Sequence, residues 1–187
     1  MQPSKLTYYG DFVVYPVVIA GLAVVGLTRS TWQNGIEWLC VAAAGFVTWT
    51  FLEYVLHRSV LHQRTYFAPM HGQHHAQPRA LIGTPAWVSV SVLSASFLLP
   101  VWWLLGFGIA DALTAGVMFG YWWYGIVHHI IHHRANSEST SYFNDLRAWH
   151  MRHHYSPKSG NFGVTTSAWD RIFGTAIRVR DKAVASP

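Results

Sequence analysis

Residues 109–133 read IADALTAGVMFGYWWYGIVHHIIHH. Up to Val127 the only charge in this stretch is Asp111, and the run then ends in His128, His129, His132 and His133. An apolar run of ~20 residues is long enough to cross a bilayer as a helix. Ionisable groups gathered at the end of such a run need a purpose, because an unpaired one is costly at membrane depth.

Working outward, three more apolar runs appear at 12–28, 36–56 and 85–105, broken only by Glu37 and Glu53. The chain has 187 residues, which suits one domain spanning 1–187, and only 11% of them are charged while 51% are hydrophobic. A soluble domain carries roughly 25% charged residues, so the deficit points to lipid as the solvent. The single cysteine, Cys40, excludes an internal disulfide and reads as a small buried hydrophobe.

The net charge of +5 does not imply nucleic acid, because of where the basic residues lie. With four spans, Lys5, the 57–82 connection and the tail from 134 fall on one side, which then holds every basic residue except Arg29. By the positive-inside rule that side is cytoplasmic, and an even number of spans puts both termini there. The sequence therefore predicts an all-α integral membrane bundle of four transmembrane helices, with polar segments 57–82 and 130–180 on the cytoplasmic face.

All twelve histidines lie in four boxes: HRSVLH (57–62), HGQHH (71–75), HHIIHH (128–133) and HMRHH (150–154). The 52 residues between His75 and His128 suffice for a hairpin of two spans that leaves the membrane surface and returns to it. All four boxes then converge on one site. Residues three and four apart share a helix face, so His71, His74 and His75 align, as do His150, His153 and His154. In the third box two pairs are available, His128 with His132 and His129 with His133. His57 and His62 are five apart, about 140° around an α-helix. Either the helix ends between them or they serve different ions.

Clustered neutral imidazoles are a transition-metal ligand set. Ligation also removes the repulsion that so many protonated histidines would suffer beside arginine. Ten ligands exceed the capacity of one ion, so the count points to two. Glu53, one helical turn before His57, either accepts a hydrogen bond from a ligand's free N–H, pairs with Arg58, or caps the span. Asp145 and Asn161 lie near the fourth box, as solvated groups or as support for the ligands. After that box, Ser156, Pro157, Gly160 and Gly163 supply turn chemistry. Trp169, Ile172 and Phe173 then share a face of a short helix, and YWWYG (121–125) supplies rings for an apolar enclosure or for packing.

The ordered boxes HX4H at 57–62, HX2HH at 71–75, HX3H at 128–132 and HX2HH at 150–154 resemble the fatty acid hydroxylase/sterol desaturase superfamily, as do YGIVHHIIHH and GNFGVTTSAWDRIFGT. The similarity runs from about Glu53 to Thr175 and is strongest to the fatty acid and sphingolipid 2-hydroxylases. It implies a four-span bundle whose cytosolic helical cap holds a dinuclear histidine site. The implied ligands are His57, His62, His71, His74, His75, His128, His132, His150, His153 and His154. It further implies two iron ions as the working metal, with zinc able to occupy the same sites. The implied reaction is hydroxylation of a lipid or fatty acyl C–H bond with O2. No fused cytochrome b5 domain is evident, so electrons are expected from a separate donor, a ferredoxin or cytochrome b5-like protein with its reductase.

Two other readings follow from the same residues. A carotenoid or sterol hydroxylase or desaturase would use the same site on another lipid. A membrane metal-binding or transport protein would instead place ligands at different depths along the spans. A third reading, a soluble nucleic-acid binder, is disfavoured by the four apolar runs.

Overall fold

The computed structural model of the chain describes residues 5–29, 35–135 and 140–177. Residues 30–34 and 136–139, both chain ends, and Arg178, Arg180 and Lys182, three of the tail's basic residues, lie outside the described residues. Among the described residues every regular element is helical. They are α1 (Lys5–Arg29), α2 (Gly35–Leu56), α3 (Ala68–Ala76), α4 (Ala86–Leu93), α5 (Leu99–Leu105), α6 (Phe107–His133), α7 (Ser141–Tyr155) and α8 (Ala168–Ile172). A π-helical turn, His57–Leu61, prolongs α2, and a second one, Ser94–Leu98, joins α4 to α5.

Three stretches are long and apolar enough to cross a membrane: Lys5–Thr28, Gly35–Leu61 and Ala86–Leu105. Their outward faces carry exposed apolar side chains such as Val13, Val17, Leu39, Val47, Trp87 and Trp103. Cys40 is also exposed, on α2. The expected burial fails because outward faces of such a helix stay apolar where lipid, rather than protein, covers them. The first helix begins at Lys5, before the apolar run at 12, because its polar first turns find partners on α6. Tyr8 Oη lies 3.1 Å from His129 Nδ1, and Tyr121 Oη donates to Asp11 Oδ2 at 3.1 Å.

Helix α6 has 27 residues but is not among the three apolar stretches. It is the buried axis of the bundle, with Ala110, Ala112, Ala115, Val117, Met118 and Val127 almost inaccessible. Small residues let α2 lie directly against it: a Cβ on Gly116 would stand 1.9 Å from the Ala42 carbonyl oxygen, and one on Gly120 2.5 Å from Trp49 Cβ. Close backbone approach through small residues is how helices associate where lipid offers no hydrophobic driving force. Tyr15, Trp49, Leu93, Val117 and Met118 fill the space between α1, α2, α4 and α6. The α5–α6 turn is a single residue, Gly106, at φ 87°, a left-handed conformation that a side chain disfavours. The second π turn precedes Pro100, whose missing N–H interrupts the helical ladder.

At the other end of α6, α7 folds back over the helix terminus. Val127 and Ile131 pack there with Leu146 and Val164. The buried Arg147 reaches across: its Nε donates to Ile131 O at 2.9 Å, and its Nη2 donates to Ile130 O at 2.9 Å and Arg134 O at 2.5 Å. A guanidinium thus satisfies the carbonyls that a helix C-terminus leaves unpaired and fixes α7 against α6. The predicted aromatic face on α8 divides. Trp169 packs on Phe51 and donates to Thr50 Oγ1 at 3.1 Å, and Phe173 stacks on Tyr54, but Ile172 is exposed.

Candidate metal centre

Ten imidazoles from the end of α2, from α3, from α6 and from α7 meet at one end of the bundle. They form two sets of five: His57, His62, His71, His75 and His153, then His74, His128, His132, His150 and His154. Within each set one donor nitrogen per ring lies within 4.8 Å of every other.

Both rings of the first box join one set, as in the first of the two sequence alternatives: the helix ends between His57 and His62, at Leu61. Before that end it widens into the π turn His57–Leu61, whose i→i+5 hydrogen bonding brings the residue five along over the first. Both rings then face one centre, 5.1 Å apart at their centroids. The two HX2HH boxes split reciprocally. On α3, His71 and His75 join the first set and His74 the second. On α7, His150 and His154 join the second set and His153 the first. Each helix thereby lends an i,i+4 pair to one centre and the residue between to the other.

The nitrogen contacts fit metal better than a hydrogen-bonded network. His71 Nε2 lies 3.1 Å from His57 Nε2, 2.9 Å from His62 Nε2 and 3.0 Å from His75 Nε2. His153 Nε2 lies 3.0 Å from His62 Nε2 and 3.1 Å from His75 Nε2. One ring nitrogen has either a single proton or a single lone pair, so it cannot satisfy three such neighbours. Lone pairs aimed at a shared point can. In the second set His128 Nε2 lies 3.0 Å from His74 Nε2, and His150 Nε2 lies 3.0 Å from both His132 Nε2 and His154 Nε2.

Electrostatics keep these rings in ligand form. Burial first, and repulsion from neighbouring imidazoles next, bring His71 and His154 down to about 2 and His74 and His62 to about 4. Burial likewise brings His153 to about 3, and lowers His75 and His150. All are neutral at pH 7, as metal ligands must be.

Of the alternative third-box pair, His129 packs among Tyr8, Tyr9 and Phe12 and stacks on His133, outside both sets. Asp145 is exposed on α7 and takes no part. Glu53 makes none of the three arrangements its position offered. Its Oε1 accepts from the backbone N–H of Val164 and, at 2.9 Å, of Thr165, while Oε2 accepts from Thr165 Oγ1 at 2.6 Å. Arg58 donates to Tyr54 Oη instead, at 2.7 Å.

What Glu53 holds is the loop that follows the fourth box, and that loop orients ligands. His57 Nδ1 donates to Phe162 O at 2.5 Å and His153 Nδ1 to Gly160 O at 2.8 Å. A carbonyl only accepts, so in both rings the proton sits on Nδ1 and Nε2 presents its lone pair. Asn161, between these carbonyls, is fully buried at φ 56°, a left-handed conformation that asparagine tolerates better than most residues. Its Nδ2 donates to Trp149 O at 3.1 Å and its Oδ1 accepts from Ile177 N at 2.7 Å. Sequence reasoning missed Asp170, which is fully buried and accepts from Phe162 N at 2.9 Å, Gly163 N at 2.8 Å and Thr175 Oγ1 at 2.6 Å. It also missed Arg147. The available signal for Asp170 was an acidic residue beside the apolar Trp169, Ile172 and Phe173, where a buried carboxylate implies nearby backbone donors.

A cavity of about 730 Å3 opens beside the second set, between α6, α7 and residues 77–80, with Gln77, Arg79, Ile131, His132, Arg147 and Met151 in its wall. On the bundle side Tyr124 lies flat against His128, centroids 5.6 Å apart at 12°. The other YWWYG rings pack rather than enclose: Tyr121 lies against Trp49 and Tyr15, and Trp123 against Phe143.

Comparison with known proteins follows the same residues. The model of a family described as fatty acid hydroxylase matches residues 42–175. The chain is 35% identical, over 160 residues, to a dihydroceramide fatty acyl 2-hydroxylase of Arabidopsis thaliana, covering 78% of this chain and 64% of that protein. It is 32% identical, over 146 residues, to a fatty acid 2-hydroxylase of Rattus norvegicus, covering 71% of this chain and 38% of that one. Among solved structures it superposes on full-length scs7p, in which only the hydroxylase domain is visible, with a TM-score of 0.79 at 27% identity, over 94% of this chain and 70% of that chain. The chain spans under two thirds of the length of these curated relatives.

Proposed function

Because the chain belongs to the fatty acid hydroxylase family, we propose that it is an integral membrane oxygenase that hydroxylates a C–H bond of a lipid or fatty acyl chain. The observation that carries this reading is the pair of five-imidazole sets at one end of an apolar bundle. The donor set fits two transition-metal ions, one held by His57, His62, His71, His75 and His153 and the other by His74, His128, His132, His150 and His154.

Two bound irons would supply the redox chemistry that side chains lack, using O2 and two external electrons against an unactivated C–H bond, whereas zinc has no redox chemistry and would fill the sites without supporting turnover. The protein's own contribution is arrangement. Burial holds the imidazoles neutral, loop carbonyls at 160 and 162 fix two of them by their Nδ1 protons, and no side chain is needed as a general base. In this reading α6 is the fourth span, and the segments around α3, α7 and α8 form a cap on the cytoplasmic face, with both termini on that side. The outward apolar faces of the spans admit an acyl chain from the bilayer. The cavity at His132 leaves room for the polar end of the lipid beside the second set. Electrons come from a separate donor protein of the ferredoxin or cytochrome b5 type. A metal carrier is disfavoured because the donors gather at one end rather than at successive depths.

Expression in a host, followed by lipid mass spectrometry, tests the reading. Acyl lipids that gain one oxygen are expected with the native chain and not with His128→Ala or His153→Ala at equal expression. An unchanged lipid profile with the metal-loaded native chain and a competent electron donor would overturn it.

A further inference from the structure

The two histidine sets are supported differently. In the first, His57 and His153 each donate from Nδ1 to a carbonyl of the 160–163 turn, at 2.5 and 2.8 Å. That turn is itself held from both flanks by buried carboxylates: Asp170 takes the N–H groups of Phe162 and Gly163, and Glu53 takes those of Val164 and Thr165. In the second set, Nδ1 of His150 and Nδ1 of His154 are buried and have no hydrogen-bond partner among the described residues. Their tautomer and ring orientation are left for a ligand to select.

We propose that the sets bind metal unequally, the one made of His57, His62, His71, His75 and His153 filling first and holding its ion more tightly, with Asp170 as the positioning residue responsible. The proposal rests on the sets being metal sites. Its physical basis is that a hydrogen bond from the far ring nitrogen fixes the tautomer, aims the lone pair and raises ligand basicity. Losing such outer support typically costs about 10–100-fold in metal affinity. Two of five ligands carry it in one set, through a turn that cannot relax without breaking bonds to buried carboxylates. The chemistry of Asp170 makes the substitution informative. Both of its oxygens accept from backbone N–H groups, so Asp170→Asn turns an NH2 toward a donor and releases one side of the turn. The metal ligands themselves stay intact.

The test is competition between the zinc-loaded full-length chain in detergent and a chromophoric zinc chelator. The native chain is expected to surrender its two ions in separate steps, at chelator concentrations differing by about tenfold or more. His132→Ala should remove the weaker step alone and His153→Ala the tighter. Asp170→Asn should weaken the tighter step by about 10–100-fold and leave the weaker one in place. Asp111→Asn is the structural control. It alters another buried carboxylate, which accepts from Trp38 Nε1 at 3.1 Å and lies seventeen residues before His128 on α6, so it should move neither step. One unresolved step for both ions, or an Asp170→Asn that weakens both steps alike, would overturn the proposal while leaving a dinuclear site standing. Binding of no zinc at all would instead remove the metal-site reading on which it rests.

Discussion

The rings of His75 and His154 lie stacked, centroids 4.2 Å apart and inclined by 21°, although they belong to different sets. His75 shares its helix with His74, and His154 shares its helix with His153, so α3 and α7 each straddle the boundary between the centres. The two sets are therefore adjacent compartments built from the same helices. Removing one imidazole should empty one compartment without dismantling the other. His71→Ala and His154→Ala are each expected to lower metal content from about two ions per chain to about one, as the ligand count implies, and to abolish lipid hydroxylation. Elemental analysis of purified protein checks this; loss of both ions in either variant would show that the compartments do not bind separately.

Acid should act on the same site. The folded protein holds His71, His154, His153, His62 and His74 at about 2 to 4, against an ordinary 6.5, chiefly through burial. Below 6.5 the unfolded chain therefore binds more protons than the folded one, so stability falls as pH falls. The contribution is complete above pH 6.5 and declines continuously toward pH 4. For metal-free protein the melting temperature is expected to drop across that window. Bound metal excludes the protons, so the loaded protein should hold its melting temperature to lower pH and then release its ions. A flat melting profile of the metal-free protein from pH 7 to pH 4 would contradict the burial of these rings.

The contact of α6 with α2 sets where the third box stands. A Cβ at Gly116 would meet the Ala42 carbonyl oxygen at 1.9 Å, and backbone cannot move aside as a side chain can. Gly116→Val is expected to destabilise the protein by about 1–3 kcal/mol or more, the range typical of overpacking, and to lower its yield in membranes. Gly21→Ala, on α1 with open space around it, is the comparison and should be tolerated. Melting of the two variants in detergent separates local overpacking from a general intolerance of substitution.

Much of this was legible in the sequence because the signals are periodic or compositional. Apolar runs mark helices, and HX2HH and HX3H spacings put imidazoles on one helical face, which groups His71, His74 and His75 and, separately, His150, His153 and His154. The split of each HX2HH box between two sets was not legible, since it depends on where neighbouring helices stand. Nor was the π turn at 57–61, because spacing alone presumes α-helical geometry. The choice of His128 and His132 over His129 and His133 is made by packing: Tyr8, Tyr9 and Phe12 of α1 cover the other stripe of α6. Asp170 and Arg147 escaped because their roles are toward distant backbone groups, which no side-chain pattern announces.

Arg147 offers the last prediction. All four ligands that α6 and α7 bring to the second set, His128, His132, His150 and His154, depend on how these two helices meet. Arg147 fixes that meeting by donating to the carbonyls of Ile130, Ile131 and Arg134 at the end of α6. Arg147→Met keeps the apolar stem and removes the donors. Each buried carbonyl left unsatisfied costs about 1–3 kcal/mol, so melting should fall clearly. The loss should also be selective. The first set takes His57, His62, His71 and His75 from α2, its π extension and α3, and only His153 from α7. It should therefore retain its ion better than the second. Metal analysis of Arg147→Met is expected to show about one ion per chain, held as tightly against chelator as the slower-leaving ion of the native protein. Two ions retained at native affinity would mean that the helix crossing is fixed by the Val127, Ile131 and Leu146 packing alone, and that the guanidinium contributes nothing to the site.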